Sequence, residues 1–129
     1  MTRTVLIVED TDLCRDALEL SLTRIPGLAV KIVGTAEEAL RQLGTDSLHE
    51  GDICALVTDL HLPAMDGFEL IEAVRALPGR AGFPIVVISG DSDPRTPARL
   101  AGLGANAYFT KPYSPSEVRS KLERLLDAN

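Results

Sequence analysis

Five short apolar runs, each followed by an amphipathic segment, are the feature that most constrains the fold of this chain. They span residues 4–8, 28–33, 53–58, 84–89 and 106–110, are mostly rich in Val, Ile or aromatic residues, and are bounded by Gly, Pro or Asp. The first, third and fourth runs are almost continuously apolar, which is typical of strands covered on both faces. The alternation predicts an α/β fold whose parallel sheet is wrapped on both faces through right-handed crossovers.

Spacing and capping residues predict the first three helices. The first is indicated by residues three or four positions apart, as on one side of a helix: Leu13, Ala17, Leu20 and Arg24. The second is predicted to open with a capping box formed by Thr35 and Glu38, in which each side chain accepts a hydrogen bond from the other residue's backbone amide. The third is predicted over "GFELIEAVRAL", residues 67–77.

The last two predicted helices have proline near their starts. Ser114 is the expected N-cap of the final helix and Pro115 occupies its first turn. One face of that helix is predicted to carry Val118, Leu122 and Leu125. The helix before it is expected to be short, beginning near Thr96 or Pro97 and stopping by Gly104, because proline can start a helix but not lie inside one.

The length and composition are those of one ordinary globular domain. The chain has 129 residues, 45% hydrophobic and 25% charged, and no apolar run approaches the roughly 20 residues of a membrane helix. An acidic pair follows the N-terminal run at once, so this run is interpreted as a strand and the protein is expected to be cytoplasmic. A net charge of -6 argues against direct nucleic-acid binding, which needs clustered Lys and Arg. Cys14 and Cys54 form no metal or disulfide pattern and are interpreted as small core residues.

Four of the five predicted strands end in a polar group. The residues at or just after these ends are Glu9, Asp10, Asp59, Ser89 and Lys111. Because open parallel sheets bind ligands outside the carboxyl ends of their strands, these side chains are expected to lie together. Each residue alone also fits a turn former, a helix cap or a solvated surface charge. The complementary chemistry of the set favours a functional site.

The carboxylates of this set predict a divalent cation. Glu9, Asp10 and Asp59 would repel one another at close range unless a cation neutralised them. Oxygen ligands without His or Cys favour Mg²⁺. The ammonium of Lys111 and the hydroxyl of Ser89 suit the remaining oxygens of a phosphoryl group. Asp59 is therefore interpreted as a nucleophile that attacks phosphorus and forms an aspartyl phosphate.

Four segments in order, "VLIVEDT", "VTDLHLPAMDG", "VVISGD" and "YFTKPY", make the chain resemble a response-regulator receiver domain of two-component signal transduction, similar to chemotaxis receivers. The resemblance covers essentially the whole length, so residues 1–129 are assigned to a single receiver domain. It implies a flavodoxin-like (βα)₅ three-layer sandwich with a parallel five-stranded sheet of order 2-1-3-4-5.

The resemblance also implies roles for individual residues. The Mg²⁺ ligands would be the backbone carbonyl of His61 and the carboxylates of Glu9, Asp10 and Asp59. Ser89 and Lys111 would contact the phosphoryl group, and the peptide bond from Lys111 to Pro112 would be cis. In the family a hydroxyl moves toward the phosphoryl group and an aromatic ring turns inward, which here implies a switch formed by Ser89 and Tyr108.

The partners implied by the resemblance are proteins. The donor would be a phosphohistidine on a histidine kinase or phosphotransfer protein, and the signal would pass to a downstream protein partner or an output domain. A dimer formed on phosphorylation is a further expectation, whereas direct contact with nucleic acid or membrane is not expected. Because such a domain catalyses only its own phosphorylation and dephosphorylation, it is classed as a phosphoacceptor signalling domain and not as an enzyme.

Three other functions share features with this sequence. A haloacid-dehalogenase-type phosphatase also uses an aspartate at a strand end, but its partner acid lies two residues further on, where this chain has His61. A nucleotide or flavin binder would need a Gly-rich or hydroxyl-rich loop after the first strand, and "VEDTD" is acidic. The main alternative is a receiver-like binding module that docks partners without phosphorylation.

Overall fold

Strands and helices alternate along the chain, as the sequence predicts. A computed structural model describes residues 3–9, 12–45 and 53–127. Its elements are β1 (Arg3–Val8), α1 (Asp12–Leu22), β2 (Leu28–Val33), α2 (Ala36–Thr45), β3 (Ile53–Asp59), α3 (Gly67–Ala76), β4 (Ile85–Ser89), α4 (Thr96–Leu103), β5 (Ala107–Thr110) and α5 (Pro115–Asp127). All neighbouring strands are parallel and the sheet order is β2-β1-β3-β4-β5, which confirms the expected flavodoxin-like topology.

The sheet has a hydrophobic core on each of its faces. Leu6 and Val8 of β1 belong to one core, and Val5 and Ile7 belong to the other, because successive side chains of a strand point to opposite faces. The first core is closed by α2, α3 and α4, and the second by α1 and α5. Strands β3 and β4 are buried almost throughout, as their continuous apolar sequences predict.

Helix α1 forms, but the predicted spacing does not describe its buried face. Leu18 and Leu22 are fully buried, whereas Ala17 is exposed and Leu20 is 66% exposed. The segment carries two overlapping apolar spacings, and the one that packs on the sheet continues from Leu18 and Leu22 to the buried Ile25. Local spacing alone does not decide which of two apolar stripes meets the sheet.

The predicted ends of α2 and α4 are present. The hydroxyl of Thr35 accepts a hydrogen bond from the amide of Glu38 at 3.2 Å, which is the N-cap half of the predicted capping box. Helix α4 begins at Thr96 and is capped by Gly104, whose φ of 93° lies in the left-handed region that glycine adopts without a Cβ clash.

Helix α5 starts at Pro115, as predicted, and the hydroxyl of Ser114 accepts from the amide of Glu117 at 3.4 Å. Its fully or nearly buried apolar positions are Val118, Leu122 and Leu126. The predicted Leu125 lies at the edge of this face and is only partly buried.

Two remaining expectations concern membrane contact and the cysteines. In the ranges that the structure describes, no helix is long and apolar enough to cross a bilayer. Cys54 is partly buried and packs against the core between the sheet, α1 and α5, in agreement with its prediction as a core residue. The side chains of Leu13 and Cys14 lie outside the described residues.

Candidate functional site

Asp59 is the last residue of β3 and lies at the carboxyl edge of the sheet. The parallel register pairs Thr58 of β3 with Val8 of β1. The next residue of each segment, Asp59 and Glu9, therefore lies at the end of one of two adjacent strands. Both carboxylates are withdrawn from solvent, with residue exposures of 0% for Glu9 and 5% for Asp59. The structure therefore brings these two predicted site residues together in a buried position.

The ammonium group of Lys111 bridges the two carboxylates. Its Nζ atom lies 2.7 Å from Oδ2 of Asp59 and 3.1 Å from Oε2 of Glu9. The backbone amide of Lys111 donates to the carbonyl of Ser89 at 2.8 Å, which joins the segment after β5 to the end of β4. The peptide bond between Lys111 and Pro112 is cis, as predicted.

The charged state of Lys111 depends on its two carboxylate neighbours. Burial by itself lowers the pKa of Lys111, but the hydrogen bonds and charges of Asp59 and Glu9 outweigh burial and raise that pKa above its usual value. Lys111 is therefore a cation at neutral pH. The two buried carboxylates beside this ammonium are oxygen donors that can also accept a metal cation.

The chemistry of the carboxylate pair fits Mg²⁺. Glu9 and Asp59 offer only oxygen atoms, the ligands that this hard cation prefers. Within residues 3–9, 12–45 and 53–127, no three His, Cys, Asp or Glu residues are grouped so as to hold a metal ion. The third predicted carboxylate, Asp10, lies outside the described residues. The described donors thus account for part of the predicted ligand set.

Hydrogen bonds fix the orientation of Asp59. Its Oδ1 atom accepts from the backbone amide of His61 at 3.1 Å, while Oδ2 faces Lys111. The hydroxyl of Thr58 donates to the carbonyl of Asp59 at 2.8 Å. Because each carboxylate oxygen has its own donor, the side chain is held in one orientation before any reaction.

A chain of hydrogen bonds connects the two residues of the predicted switch. Ser89 is buried, and its Oγ atom accepts from the amide of Asp91 at 3.2 Å. The carbonyl of Asp91 accepts in turn from the phenol of Tyr108 at 3.0 Å. Burial, followed by the charges of Asp91 and Asp59, raises the pKa of Tyr108, so the phenol remains a donor at neutral pH.

The imidazole of His61 points along the site toward the loop after β4. Its Nε2 atom lies 3.8 Å from Oδ2 of Asp91, and the His61 side chain is 67% exposed. The sequence prediction gave the backbone carbonyl of His61 a role as a Mg²⁺ ligand. The contact seen in the structure is made by the side chain.

Sequence reasoning missed Gly67, which packs directly against the end of β3. A Cβ atom at this position would lie 2.5 Å from the carbonyl oxygen of Asp59 and 2.6 Å from Cα of Leu60. A signal was available, because Asp66 and Glu69 have the spacing of a capping box. The structure contains this box, with Asp66 and Glu69 each accepting from the other's backbone amide.

The chain matches a known protein family. The family described as "Response regulator receiver domain" matches residues 5–123. The chain belongs to this family. Receiver domains are signalling domains of two-component response regulators, and the expected relationship is thereby confirmed.

Similar receivers occur in bacteria and plants. A chemotaxis protein CheY homolog of Campylobacter jejuni is 30% identical over 122 residues, covering 95% of this chain and 91% of its own. The two-component response regulator ORR1 of Oryza sativa subsp. indica is 30% identical over 129 residues, covering 97% of this chain and 55% of its own. The receiver spans about half the length of ORR1 and also of the transcriptional regulatory protein GltR of Pseudomonas aeruginosa.

Solved receiver structures share the fold. A putative response regulator from Chloroflexus aurantiacus superposes with a TM-score of 0.83 at 31% identity, covering 98% of this chain and 99% of its own. The similarity thus extends over nearly the whole of both chains.

Proposed function

We propose that this receiver accepts a phosphoryl group from a phosphohistidine onto Asp59, in a Mg²⁺-dependent reaction, and signals through a change of its surface. The observation that carries the proposal is the buried group formed by Asp59, Glu9 and Lys111 at the carboxyl edge of the sheet. Membership of the receiver family supports it, since phosphorylation and Mg²⁺ binding are general features of that family.

In this proposal Asp59 is the nucleophile. A carboxylate oxygen of Asp59 forms a bond to phosphorus while the P–N bond of the phosphohistidine breaks, and the imidazole leaves with that electron pair and then takes up a proton. Lys111 already touches Asp59, so its ammonium needs little movement to contact an oxygen of the transferred group. The hydroxyl of Ser89 donates to another phosphoryl oxygen.

The Mg²⁺ ligands in the proposal are the backbone carbonyl of His61 and the carboxylates of Glu9, Asp10 and Asp59. When bound, the ion offsets the negative charge of the carboxylates and of the phosphoryl oxygens. The support from this chain is the pair of buried, oxygen-only donors that face a single ammonium.

The signal in the proposal passes from Ser89 to Tyr108. When the Ser89 hydroxyl turns to the phosphoryl group, its hydrogen bond from the amide of Asp91 lengthens. Because Tyr108 donates to the carbonyl of the same Asp91, a shift of that residue alters the setting of the ring. The affected surface is formed by the loop after β4, by α4 and by β5.

The proposal also covers the partners and the setting of the domain. The donor is a histidine kinase or phosphotransfer protein, and the receiver of the signal is a downstream protein or an output domain. Residues 1–129 act as a single receiver domain in the cytoplasm, with dimerisation on phosphorylation as one form of output. Direct contact with nucleic acid or membrane has no part in it.

Acetyl phosphate tests the proposal without the cognate kinase. The domain itself assembles the nucleophile and the cation, so a small activated donor should suffice. Intact-mass measurement with acetyl phosphate and Mg²⁺ is expected to show one added phosphoryl group per chain, stable to acid and lost in base. Removal of Mg²⁺ with a chelator should abolish the adduct.

Two aspartate variants provide the matched comparison. Asp59→Asn should remove the adduct and leave the fold intact. Asp93→Asn changes a more exposed aspartate of the loop after β4 and should be phosphorylated like the original chain. If neither the phosphoryl adduct, nor a beryllofluoride complex, nor Mg²⁺ binding by calorimetry is detected, the proposal fails and the binding module that works without phosphorylation becomes the better account.

A further inference from the structure

The guanidinium group of Arg75, in the last turn of α3, joins two segments of the chain that follow it. Its Nη1 atom donates to the carbonyl oxygens of Arg80 and Phe83, at 2.8 and 2.6 Å, in the connection to β4. Its Nη2 atom donates to the carbonyl oxygen of Gly104 at 2.6 Å and to Oδ1 of Asn106 at 3.2 Å, just after α4. One side chain thus ties the end of α3 and the approach to β4 to the end of α4.

Asn106 extends this connection into the sheet. Its side-chain Oδ1 atom also accepts from the backbone amide of Ile85 at 2.8 Å. The backbone amide of Asn106 donates to the carbonyl oxygen of Ile85, also at 2.8 Å. The connection between α4 and β5 is therefore bound to the first residue of β4. This is the amino edge of the sheet, opposite the edge that carries Asp59.

The glycine at position 104 allows the guanidinium to approach. Its φ is 93°, and a Cβ atom added there would lie 2.9 Å from Nε of Arg75. A side chain at this position would thus be strained and would also displace Arg75. The helix cap and the arginine contacts depend on the same absence of a side chain.

The other end of α4 is joined to the loop after β4 and to α3. Thr96 and Leu100 are the buried residues of this helix. Near its first turn, the guanidinium of Arg99 stacks on the ring of Phe68 at 3.7 Å, and the amide of Thr96 donates to the carbonyl of Asp93. These contacts connect the first turn of α4 to α3 and to the loop after β4, whereas the hydrogen bonds of Arg75 lie at the far end of the helix.

We infer that Arg75 is a positioning residue that anchors the C-terminal end of α4, so that this helix pivots about that end when the phosphorylation site changes state. The mobile end is the first turn, which is joined to the site through the loop of Asp91 and Asp93. The fixed end comprises Gly104 and Asn106. The inference rests on the proposed function only for the event that moves the helix.

Hydrogen exchange in the unphosphorylated protein tests the anchor by itself. The reporters are the amides of Gly104, Ala105 and Asn106, which donate to Ala101, Leu100 and Ile85. In Arg75→Met, these three amides are expected to exchange about tenfold faster relative to core amides of β3. Arg75→Lys keeps the charge without the paired donors, so its exchange should be intermediate. It also serves for the comparison if Arg75→Met does not fold.

Arg80→Met is the matched control. Arg80 also donates to two backbone carbonyl oxygens, those of Leu43 and Ile53 at 3.2 Å each, which lie on α2 and β3. This variant removes a guanidinium of similar kind, yet it should leave exchange at 104–106 close to that of the original chain. Equal exchange at 104–106 in the Arg75 and Arg80 variants would overturn the anchor.

Beryllofluoride with Mg²⁺ tests the pivot. In the original chain, amide chemical shifts are expected to change at residues 89–99 and at Tyr108 but to stay fixed at 104–106. In Arg75→Met the changes should spread to 104–106. Changes of equal size at both ends of α4 in the original chain would overturn the pivot. Failure to bind beryllofluoride would instead count against the proposed function, while the exchange experiment still decides whether Arg75 is an anchor.

Discussion

The Nζ atom of Lys111 lies 2.7 Å from Oδ2 of Asp59, although 52 positions separate the two residues in the sequence. Parallel topology accounts for the contact, because β3 and β5 end at the same edge of the sheet with β4 between them. Lys111 also contacts Glu9, so one ammonium bridges two buried carboxylates. The lysine therefore affects both the stability of the site and, in the proposed reaction, the transfer of the phosphoryl group.

Replacing Lys111 with alanine should lower both the rate of phosphorylation and the stability of the protein. Phosphorylation by acetyl phosphate is expected to slow by about 100-fold, the usual effect of losing one charged donor to a reacting group. The free energy of unfolding without Mg²⁺ should fall by about 1–3 kcal/mol, because Glu9 and Asp59 lose their counter-ion. Mg²⁺ should recover part of the stability but not the rate. Intact-mass time courses and urea titrations measure the two effects.

Lys31→Ala is the control for this prediction. Lys31 is exposed and donates to Gln42 at 2.8 Å, so its loss should change stability by less than about 0.5 kcal/mol and leave phosphorylation unaffected. A Lys111→Ala variant that is phosphorylated as fast as Lys31→Ala would contradict the role assigned to the ammonium.

The strands could be predicted because they depend on the local pattern of apolar residues. The clustering of polar groups at one edge could be predicted because it depends on a general property of parallel sheets. Continuous apolar runs indicate buried strands, and the carboxyl ends of parallel strands meet. Glu9, Asp59, Ser89 and Lys111 accordingly lie at the same edge. The order of the strands, in contrast, came from the family resemblance, since five βα units are compatible with more than one order.

The features that could not be predicted depend on contacts between distant parts of the chain. Arg75 meets Gly104 and Asn106 at separations of 29 and 31 positions, and no local pattern announces these bonds. The choice of the buried face of α1 has a related cause: the segment is apolar on two sides, and packing against the sheet and α5 buries Leu18 and leaves Leu20 exposed.

Alanine substitutions in α1 should reproduce this difference between the two leucines. Leu18→Ala is expected to lower the free energy of unfolding by about 2–5 kcal/mol, because it leaves a cavity in the core. Leu20→Ala removes a side chain that is 66% exposed and should change it by less than about 0.5 kcal/mol. Urea unfolding of both variants gives the comparison. Similar losses in the two variants would show that the assigned buried face is wrong.

Tyr108 should titrate above the ordinary pKa of a phenol. Burial and the nearby charges of Asp91 and Asp59 disfavour the phenolate in the folded state. The chain has two tyrosines, so in Tyr113→Phe the ultraviolet absorbance of phenolate reports Tyr108 alone. Its midpoint in the folded protein is expected above about 10, the value in unfolded chains.

The raised pKa of Tyr108 also predicts how stability depends on pH. The folded state keeps this proton more firmly than the unfolded state, so the contribution is fully present below the unfolded pKa and is lost as the pH rises through the folded pKa. Tyr108→Phe should therefore lose less stability than the original chain between about pH 9 and pH 11. An equal loss in the two proteins would show that another group governs the alkaline limb.

Gly67→Ala should disturb the end of β3 from the side of α3. The added Cβ would lie 2.5 Å from the carbonyl oxygen of Asp59 and 2.6 Å from Cα of Leu60, and both neighbours are backbone atoms that cannot turn away. The free energy of unfolding is expected to fall by about 1–3 kcal/mol, as for other overpacked sites. Phosphorylation by acetyl phosphate should slow as well, because relief of the overlap moves the backbone that carries Asp59.

Gly102→Ala is the matched substitution: it lies in α4 with nothing within 4 Å of the added Cβ, and it should stabilise the protein by about 0.5–1 kcal/mol through its higher helix propensity. Urea unfolding should therefore show a loss of stability in Gly67→Ala and a gain in Gly102→Ala. Intact-mass time courses should show slower phosphorylation only in Gly67→Ala. A Gly67→Ala variant as stable and as readily phosphorylated as Gly102→Ala would show that the packing of α3 on β3 does not position Asp59.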